Sequence, residues 1–415
     1  MACSRAVLGT LVVGSLGING NVHRKGTVND TAGDLALGVH LAQLVGINGT
    51  GHLRVDDLNG GQRRDLGALD AAGMGGVNLE RAGQRNMLRI EELSVMGVVE
   101  VLSSLPRIPG MLKRVRHALA KERPDAVLLV DAPEFNFRVA KIARELNIPV
   151  YYFIPPKVWA WRTGRVAFLK KHVRRIFSIL PFELDFYRSH GMAVEYVGNP
   201  LVDLVDYENI RHILPEPGRI GLMPGSRKKE VESLLPAFSS AADLLLREFP
   251  RLSFHCIRAP HFAETYLRKF WNGAAPLHMA EPEGRYAFMR SCQCLMSASG
   301  TATLESGLAG VPTLVAYRLN PLSYALGRRV IKVRWISLTN LILGREAFPE
   351  HIQQDASPEA LAARIGTWLR EPEHFARMAE DMKELREKCG TPGSAQRAAR
   401  ALMNALEEQG SLEMF

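Results

Sequence analysis

The sequence predicts an α/β protein built as two doubly wound halves facing across a cleft. Three observations predict it. Short apolar runs alternate with amphipathic stretches from Glu91 onward, which means parallel strands with helical crossovers on both faces of a sheet. The alternation runs twice, and the polar, Pro-bearing segment 201–217 separates the two sets, a composition typical of a linker. The 415 residues, at 47% hydrophobic and 23% charged content, are enough for two ordinary cores.

The chain begins atypically. Residues 1–90 hold none of the 23 Pro, 5 Trp, 9 Tyr or 16 Phe, yet carry 17 of the 36 Gly. A core without aromatics is thin, and each glycine raises the entropy lost on folding. Three readings compete: a Gly-rich nucleotide-type βα unit, a poorly ordered extension, or a segment with a misassigned start or frame. The first 70 residues are the stretch in question.

Residues 91–200 form the first regular half. Leu112–Lys121 is amphipathic and reads as a helix, stopped by Pro124. Ala126–Val130 is a buried strand, ended by Asp131-Ala132-Pro133. Phe137–Leu146 is a helix, Ile148–Ile154 and Ile176–Leu180 are strands, and Pro181–Ser189 is a helix. Ala193–Val197 is a strand that leads to Gly198-Asn199-Pro200. The second half, 218–357, has strands at Arg219–Met223, Leu252–Ile257, Leu277–Ala280, Cys294–Ser297 and Pro312–Ala316. Helices lie between them at Glu230–Glu248, His261–Phe270, Gly284–Ser291 and Thr301–Ala309. The tail, 358–415, reads as three helices near Pro358–Leu369, Pro372–Lys388 and Gly393–Glu407. These are expected to pack back on the first half or to exchange between two copies as a homodimer.

Composition narrows the function. A net charge of +9 suits an anionic partner: nucleic acid, a phosphorylated substrate or a membrane surface. No apolar run reaches 18 residues, so no spanning helix is expected. Ala6–Ile18 imitates a signal peptide but lacks a clear cleavage site. Cys3, Cys256, Cys292, Cys294 and Cys389 form no disulfide framework and read as buried thiols in a reducing compartment. There is no His-Glu-x-x-His, Walker or Asp-x-Asp pattern, so neither a protein-held metal nor another cofactor is expected.

Two stretches look made for phosphate. Pro224-Gly225-Ser226-Arg227 follows an apolar strand and opens a helix. The unpaired N–H groups and dipole of a helix N-terminus favour an anion there, and Arg227 adds a guanidinium fork. Ser297-Ala298-Ser299-Gly300-Thr301 repeats the arrangement, with Glu305 one turn along the helix from Thr301. A carboxylate at that place can accept from both hydroxyls of a ribose. The alternatives are an ordinary βα turn and a surface Glu. Asp131 ends the central strand of the first half, where cleft residues sit, and can act as a general base; the alternative is a turn Asp bonded to its own backbone. Asn136 shares its loop. Lys157–Phe177 sets seven Lys/Arg among Trp159, Trp161 and other apolar residues, and Gly327–Trp335 repeats the theme. Such surfaces suit an anionic bilayer, a single strand of nucleic acid, or simply the solvated face of a core helix.

The ordered strings resemble lipid-A-disaccharide synthase, a glycosyltransferase family of the GT-B fold with two Rossmann-like domains. They are Glu92-Leu93-Ser94-Val95-Met96-Gly97, Asp131-Ala132-Pro133-Glu134-Phe135-Asn136, Pro156-Lys157-Val158-Trp159-Ala160-Trp161-Arg162, Leu180-Pro181-Phe182-Glu183 and Val197-Gly198-Asn199-Pro200. Pro224-Gly225-Ser226-Arg227, Ser299-Gly300-Thr301-Ala302-Thr303-Leu304-Glu305, Tyr317-Arg318 and Ser337-Leu338-Thr339-Asn340-Leu341-Ile342 follow. No single string is decisive; the set, across 91–415, is specific.

The resemblance implies transfer of 2,3-diacylglucosamine from its UDP form to 2,3-diacylglucosamine 1-phosphate, giving the β-1,6 disaccharide and UDP. An α-linked donor and a β product imply inversion, with Asp131 as base on the acceptor 6-hydroxyl. Gly225, Ser226, Arg227, Ser299, Gly300, Thr301, Glu305 and Asn340 would hold the donor. Ser94, Met96 and Asn136 would lie on the acceptor or acyl side. Trp159, Trp161, Arg162, Arg165, Arg328, Arg329 and Lys332 would meet lipid, making the protein peripheral on the cytoplasmic face of the inner membrane. No nucleic-acid partner is expected, because no binding module is present. The family's opening Gly-Glu-Ala-Ser-Gly-Asp turn is echoed only by Ala32-Gly33-Asp34-Leu35, with Thr31 nearest the place of its Glu. That departure implies weak turnover by this chain. Two further readings stand beside the main one: an enzyme of the same fold acting on a soluble sugar, and a non-catalytic or degenerate relative that binds UDP-sugar or anionic lipid.

Overall fold

A computed structural model describes residues 7–11, 52–55, 64–68, 70–75, 85–89, 107–161, 163–320, 324, 331 and 333–412. The chain divides into two units, Met1–Pro200 with Gly393–Phe415, and Leu201–Pro392.

The described elements of the first unit are β1 (Val7–Leu11), β2 (His52–Val55), β3 (Arg64–Ala68), β4 (Asp70–Gly75), β5 (Arg85–Arg89), α1 (Arg107–Glu122), β6 (Ala126–Val130), α2 (Pro133–Glu145), β7 (Val150–Phe153), α3 (Arg165–His172), β8 (Arg175–Ser178), α4 (Glu183–Ser189) and β9 (Val194–Tyr196). Seven of the strands form one sheet in the order β5-β4-β1-β6-β7-β8-β9, and all its pairings are parallel. β2 and β3 pair separately and antiparallel. β1, β4 and β5, from the glycine-rich opening, are strands of this sheet. The strand order reverses direction between β1 and β6. One face of the sheet buries Val127, Leu129, Val150, Tyr152 and Ile176 under Val115, Leu119, Val139 and Ile142. The other buries Leu128, Val130, Tyr151, Phe153 and Phe177 under the C-terminal helix Ser394–Leu412. β6 is buried along its whole length, which is why its sequence is continuously apolar rather than alternating.

The second unit contains α5 (Pro200–Val205), α6 (Tyr207–Ile210), β10 (Glu216–Met223), α7 (Lys228–Glu248), β11 (Ser253–Ile257), α8 (Glu264–Arg268), β12 (Leu277–Ala280), α9 (Arg285–Ser291), β13 (Cys292–Ala298), α10 (Thr301–Leu308), β14 (Thr313–Tyr317), α11 (Leu338–Leu343), β15 (Glu350–Ile352), α12 (Pro358–Arg370) and α13 (Glu373–Cys389). Its sheet runs β12-β11-β10-β13-β14-β15, again all parallel. Numbered within the unit this is 3-2-1-4-5-6, the doubly wound dinucleotide-type order, whose ligand crevice opens at the reversal between the first and fourth strands. Here those strands are β10 and β13. Cys256, Cys292, Cys294 and Cys389 are buried and in no disulfide; Cys3 lies outside the described residues.

Two segments differ from the sequence expectation. The linker segment 201–217 is largely helical, in α5 and α6, and runs into β10. The tail divides between the units. Leu361, Ala362, Ile365 and Trp368 of α12 share the second unit's core with Leu234, Phe238, Ala241 and Leu245 of α7, and only the last helix packs on the first sheet. The reason is side-chain volume. α12 presents a bulky stripe that fills the groove beside α7, whereas the last helix presents Ala395, Ala398, Ala401 and Ala405, small enough to lie close on a sheet of large aromatics.

Candidate active site

Asp131 and Ala132 follow β6 at the reversal point of the first sheet. Both take left-handed backbone conformations, φ 46° and 36°, which cost non-glycine residues of order 1–2 kcal/mol each. A clasp holds the turn. The Asp131 carbonyl accepts from the Tyr152 hydroxyl at 2.5 Å and from Asn136 Nδ2 at 2.8 Å. The same amide also donates to the Val130 carbonyl at 3.0 Å. Asn136 and Tyr152 are both fully buried. Asn136 thus braces the backbone of Asp131. Burial pushes the Asp131 carboxyl up to about 6, against the opposing pull of Lys157 and the Ala132 backbone N–H.

Lys157 also bears on a second buried carboxyl. Glu183 opens α4 and accepts from Trp159 Nε1 at 2.9 Å and from the Leu180 N–H at 3.3 Å. Burial pushes it up to about 7, with Trp159, the Leu180 backbone and Lys157 pulling the other way. Trp159 stands edge-on to Phe182 at 4.8 Å between centroids. It is a core residue, which corrects its expected place on a lipid-facing surface. Trp161 is 46% exposed. Arg165 pairs with Glu134 at 2.8 Å and lies over the Phe137 ring. Most of the interleaving of basic and apolar residues in Lys157–Phe177 is therefore amphipathic packing: Val158, Trp159, Val166, Leu169, Val173, Ile176 and Phe177 point inward. Ser94, Met96, Arg162, Arg328, Arg329 and Lys332 lie outside the described residues.

In the second unit the two phosphate-type turns follow β10 and β13, neighbours in the sheet, with Met223 in register with Ser297. The turns therefore sit side by side at the reversal point. Their local chemistry differs. At the first, Glu230 of α7 folds back, and its Oε2 accepts from the N–H groups of Ser226 and Arg227, both at 3.1 Å. Its Oε1 accepts from Arg227 Nη1 at 2.8 Å. His261 meets the Ser226 carbonyl through Nε2 at 2.9 Å. At the second, among the described residues, no side chain caps α10, Gly300 is exposed, and a Cβ placed on Gly300 would meet nothing within 4 Å. Ser299 donates to the Ile336 carbonyl.

Glu305 is buried and is already engaged. Its oxygens accept from Arg285 Nη2 at 2.7 Å and from the Tyr286 hydroxyl at 3.2 Å. Sequence reading missed both donors, because α9 is too short for its pattern to show which side chains face α10. Asn340 has another task than holding a nucleotide. Nδ2 donates to Phe348 O and Glu350 Oε1, and Oδ1 accepts from the N–H groups of Ala347 and Phe348. All four hydrogen-bonding positions of its amide are used, so it pins the loop before β15.

A sequence model of the lipid-A-disaccharide synthetase family matches residues 45–405. The lipid-A-disaccharide synthase of Nitrosococcus oceani is 39% identical over 348 residues, 82% of this chain and 89% of that protein. That of Trichlorobacter lovleyi is 35% identical over 364 residues, 85% of this chain and 95% of that protein. Among solved structures, a UDP-GlcNAc 2-epimerase from Neisseria meningitidis bound to UDP-GlcNAc superposes with a TM-score of 0.59 at 12% identity, covering 96% of this chain and 99% of its own. A calicheamicin glycosyltransferase gives 0.55 at 12% identity, covering 97% and 99%. These two likenesses concern the fold, which is of the GT-B type.

Proposed function

The chain belongs to the lipid-A-disaccharide synthase family, and we propose that it joins the two diacylated sugars with Asp131 as the general base. The observation that carries this reading is the Asp131 turn. A carboxyl at the reversal point of a doubly wound sheet, lifted to about 6 by burial, is ionised at neutral pH yet basic enough to take a proton. It removes the proton of the acceptor 6-hydroxyl as that oxygen attacks the anomeric carbon of the UDP-linked sugar. The bond from that carbon to the phosphate oxygen breaks, and its electron pair leaves with UDP. Arg227 and the N-terminus of α10 stabilise the growing charge on the diphosphate. Glu305, held by Arg285 and Tyr286, faces the ribose.

The same reading places the protein peripherally on the cytoplasmic face of the inner membrane, where both lipid substrates are available. Among the described residues no helix is long and apolar enough to cross a membrane. Exposed Trp161, Ile331 and Arg334 support a surface contact. The test is turnover by the purified chain in detergent, given the diacylated UDP sugar and the monosaccharide phosphate. The expected result is UDP release that Asp131→Ala lowers by about 1,000-fold, inside the 10²–10⁴ that a general base is worth. Release that survives the substitution rules out Asp131 as the base.

A further inference from the structure

The two anion turns at β10 and β13 look alike in sequence but not in structure, and the difference lies in Glu230. We propose that Glu230 is a positioning residue for the donor: its carboxylate permanently fills the Gly225–Arg227 turn, aims the Arg227 guanidinium outward, and leaves the diphosphate to Arg227 and the Gly300–Thr301 turn. This inference rests on the reading of Arg227 and Gly300–Thr301 as donor contacts.

The geometry is that of a loaded cradle. One carboxylate accepts the N–H groups of Ser226 and Arg227 and the Arg227 side chain. These are the donors that a phosphate at this turn would need. Gly225 has φ 108°, and a Cβ there would lie 2.4 Å from Glu230 Oε2. The glycine is thus required by the internal carboxylate as much as by the turn. His261 holds the opposite side of the turn through the Ser226 carbonyl. Glu230 is 13% exposed, whereas Arg227 is 75% exposed. The anion inside the turn is sheltered, and the cation it holds faces solvent. A phosphate entering the turn would displace a carboxylate from charge-assisted bonds and meet it as a like charge. At the neighbouring turn no described residue plays that part: among the described residues none caps α10, and none comes within 4 Å of a Cβ placed on Gly300. Glu at the third helical position reaching back to the turn is a capping-box arrangement, so stability alone would explain part of it. The Arg227 contact is the part that stability does not require.

The experiment measures UDP binding to the purified full chain by calorimetry, for wild type, Arg227→Ala, Glu230→Gln, Glu230→Ala and the double variant Arg227→Ala with Glu230→Ala, with donor kinetics beside it. Loss of charge-assisted hydrogen bonds predicts about 10- to 100-fold weaker UDP binding for Arg227→Ala. Glu230→Ala is expected to weaken UDP about 10-fold, with Glu230→Gln between it and wild type. Adding Glu230→Ala to Arg227→Ala should cost little more, because the two act as one unit. Donor KM should rise and kcat should fall together in the Arg227 and Glu230 variants, because the contact that Glu230 maintains strengthens as charge grows on the diphosphate. Tighter UDP binding by either Glu230 variant would show a competing anion and overturn the proposal. Additive losses, or lower melting temperature with unchanged affinity, would reduce Glu230 to a helix cap and overturn it too. A wild-type chain that binds no UDP, or an Arg227→Ala variant that binds as wild type does, fails the donor reading itself.

Discussion

Burial lifts the Asp131 carboxyl from an ordinary 3.8 to about 6, so the ionised base opposes the fold that holds it. Between those two values the folded chain keeps a proton that the unfolded chain has lost. Stability therefore rises as pH falls through that window, and the deficit is complete above pH 6. The shift corresponds to about 3 kcal/mol. Asp131→Asn is accordingly expected to abolish turnover and yet to raise the urea midpoint at pH 8, with the gain vanishing by about pH 4. Equal midpoints at both pH values would mean that the carboxyl is solvated after all. This residue was legible in the sequence because an apolar strand followed by Asp-Ala-Pro marks a strand end. Its clasp was not, because Tyr152 reaches it from the next strand, and a cross-strand hydroxyl leaves no trace in local spacing. Asn136 was expected on the Asp131 loop, but it lies in the first turn of α2, and its work is on the Asp131 backbone.

Most strands and helices of the two sheets could be read from the alternation, since fully buried parallel strands are unbroken apolar runs. α11 and β15 were not, being shorter than one hydrophobic period or two. The partner of each tail helix was not readable either, because an amphipathic stripe says that something is covered, not what. The last helix shows how much its small residues decide. Ala398, Ala401 and Ala405 are buried in one cluster with Tyr151, Phe153 and Phe177, and in a close-packed interior a larger side chain there has to push the helix off the sheet. Ala401→Leu is expected to destabilise the chain by about 1–3 kcal/mol through overpacking. Chemical denaturation followed by tryptophan fluorescence would measure it. A neutral result would mean that the helix packs loosely enough to shift, and that alanine is there for helix propensity alone.

At the scale of the whole molecule the balance of charge is the informative quantity. A formal charge of +9 attracts any anionic surface, but Arg165, Lys170 and Lys171, three of the basic residues that looked membrane-directed, belong to α3, whose apolar side is core. In α3 the exposed Lys170 and Lys171 flank buried Val166 and Leu169. Association with a bilayer should then be mainly electrostatic, with few apolar anchors such as Trp161. Each basic residue near an anionic leaflet contributes about 1 kcal/mol, and the effect falls off within a Debye length. The chain is expected to sediment with vesicles rich in anionic phospholipid at about 0.1 M salt and to be released at about 0.5 M, where that length roughly halves. Neutral vesicles should not retain it. Trp161→Ser should lower retention on anionic vesicles at low salt by only a few fold, since one indole adds a small apolar area beside several charges. Retention that persists at high salt would instead point to inserted apolar surface, and the electrostatic account would then fail.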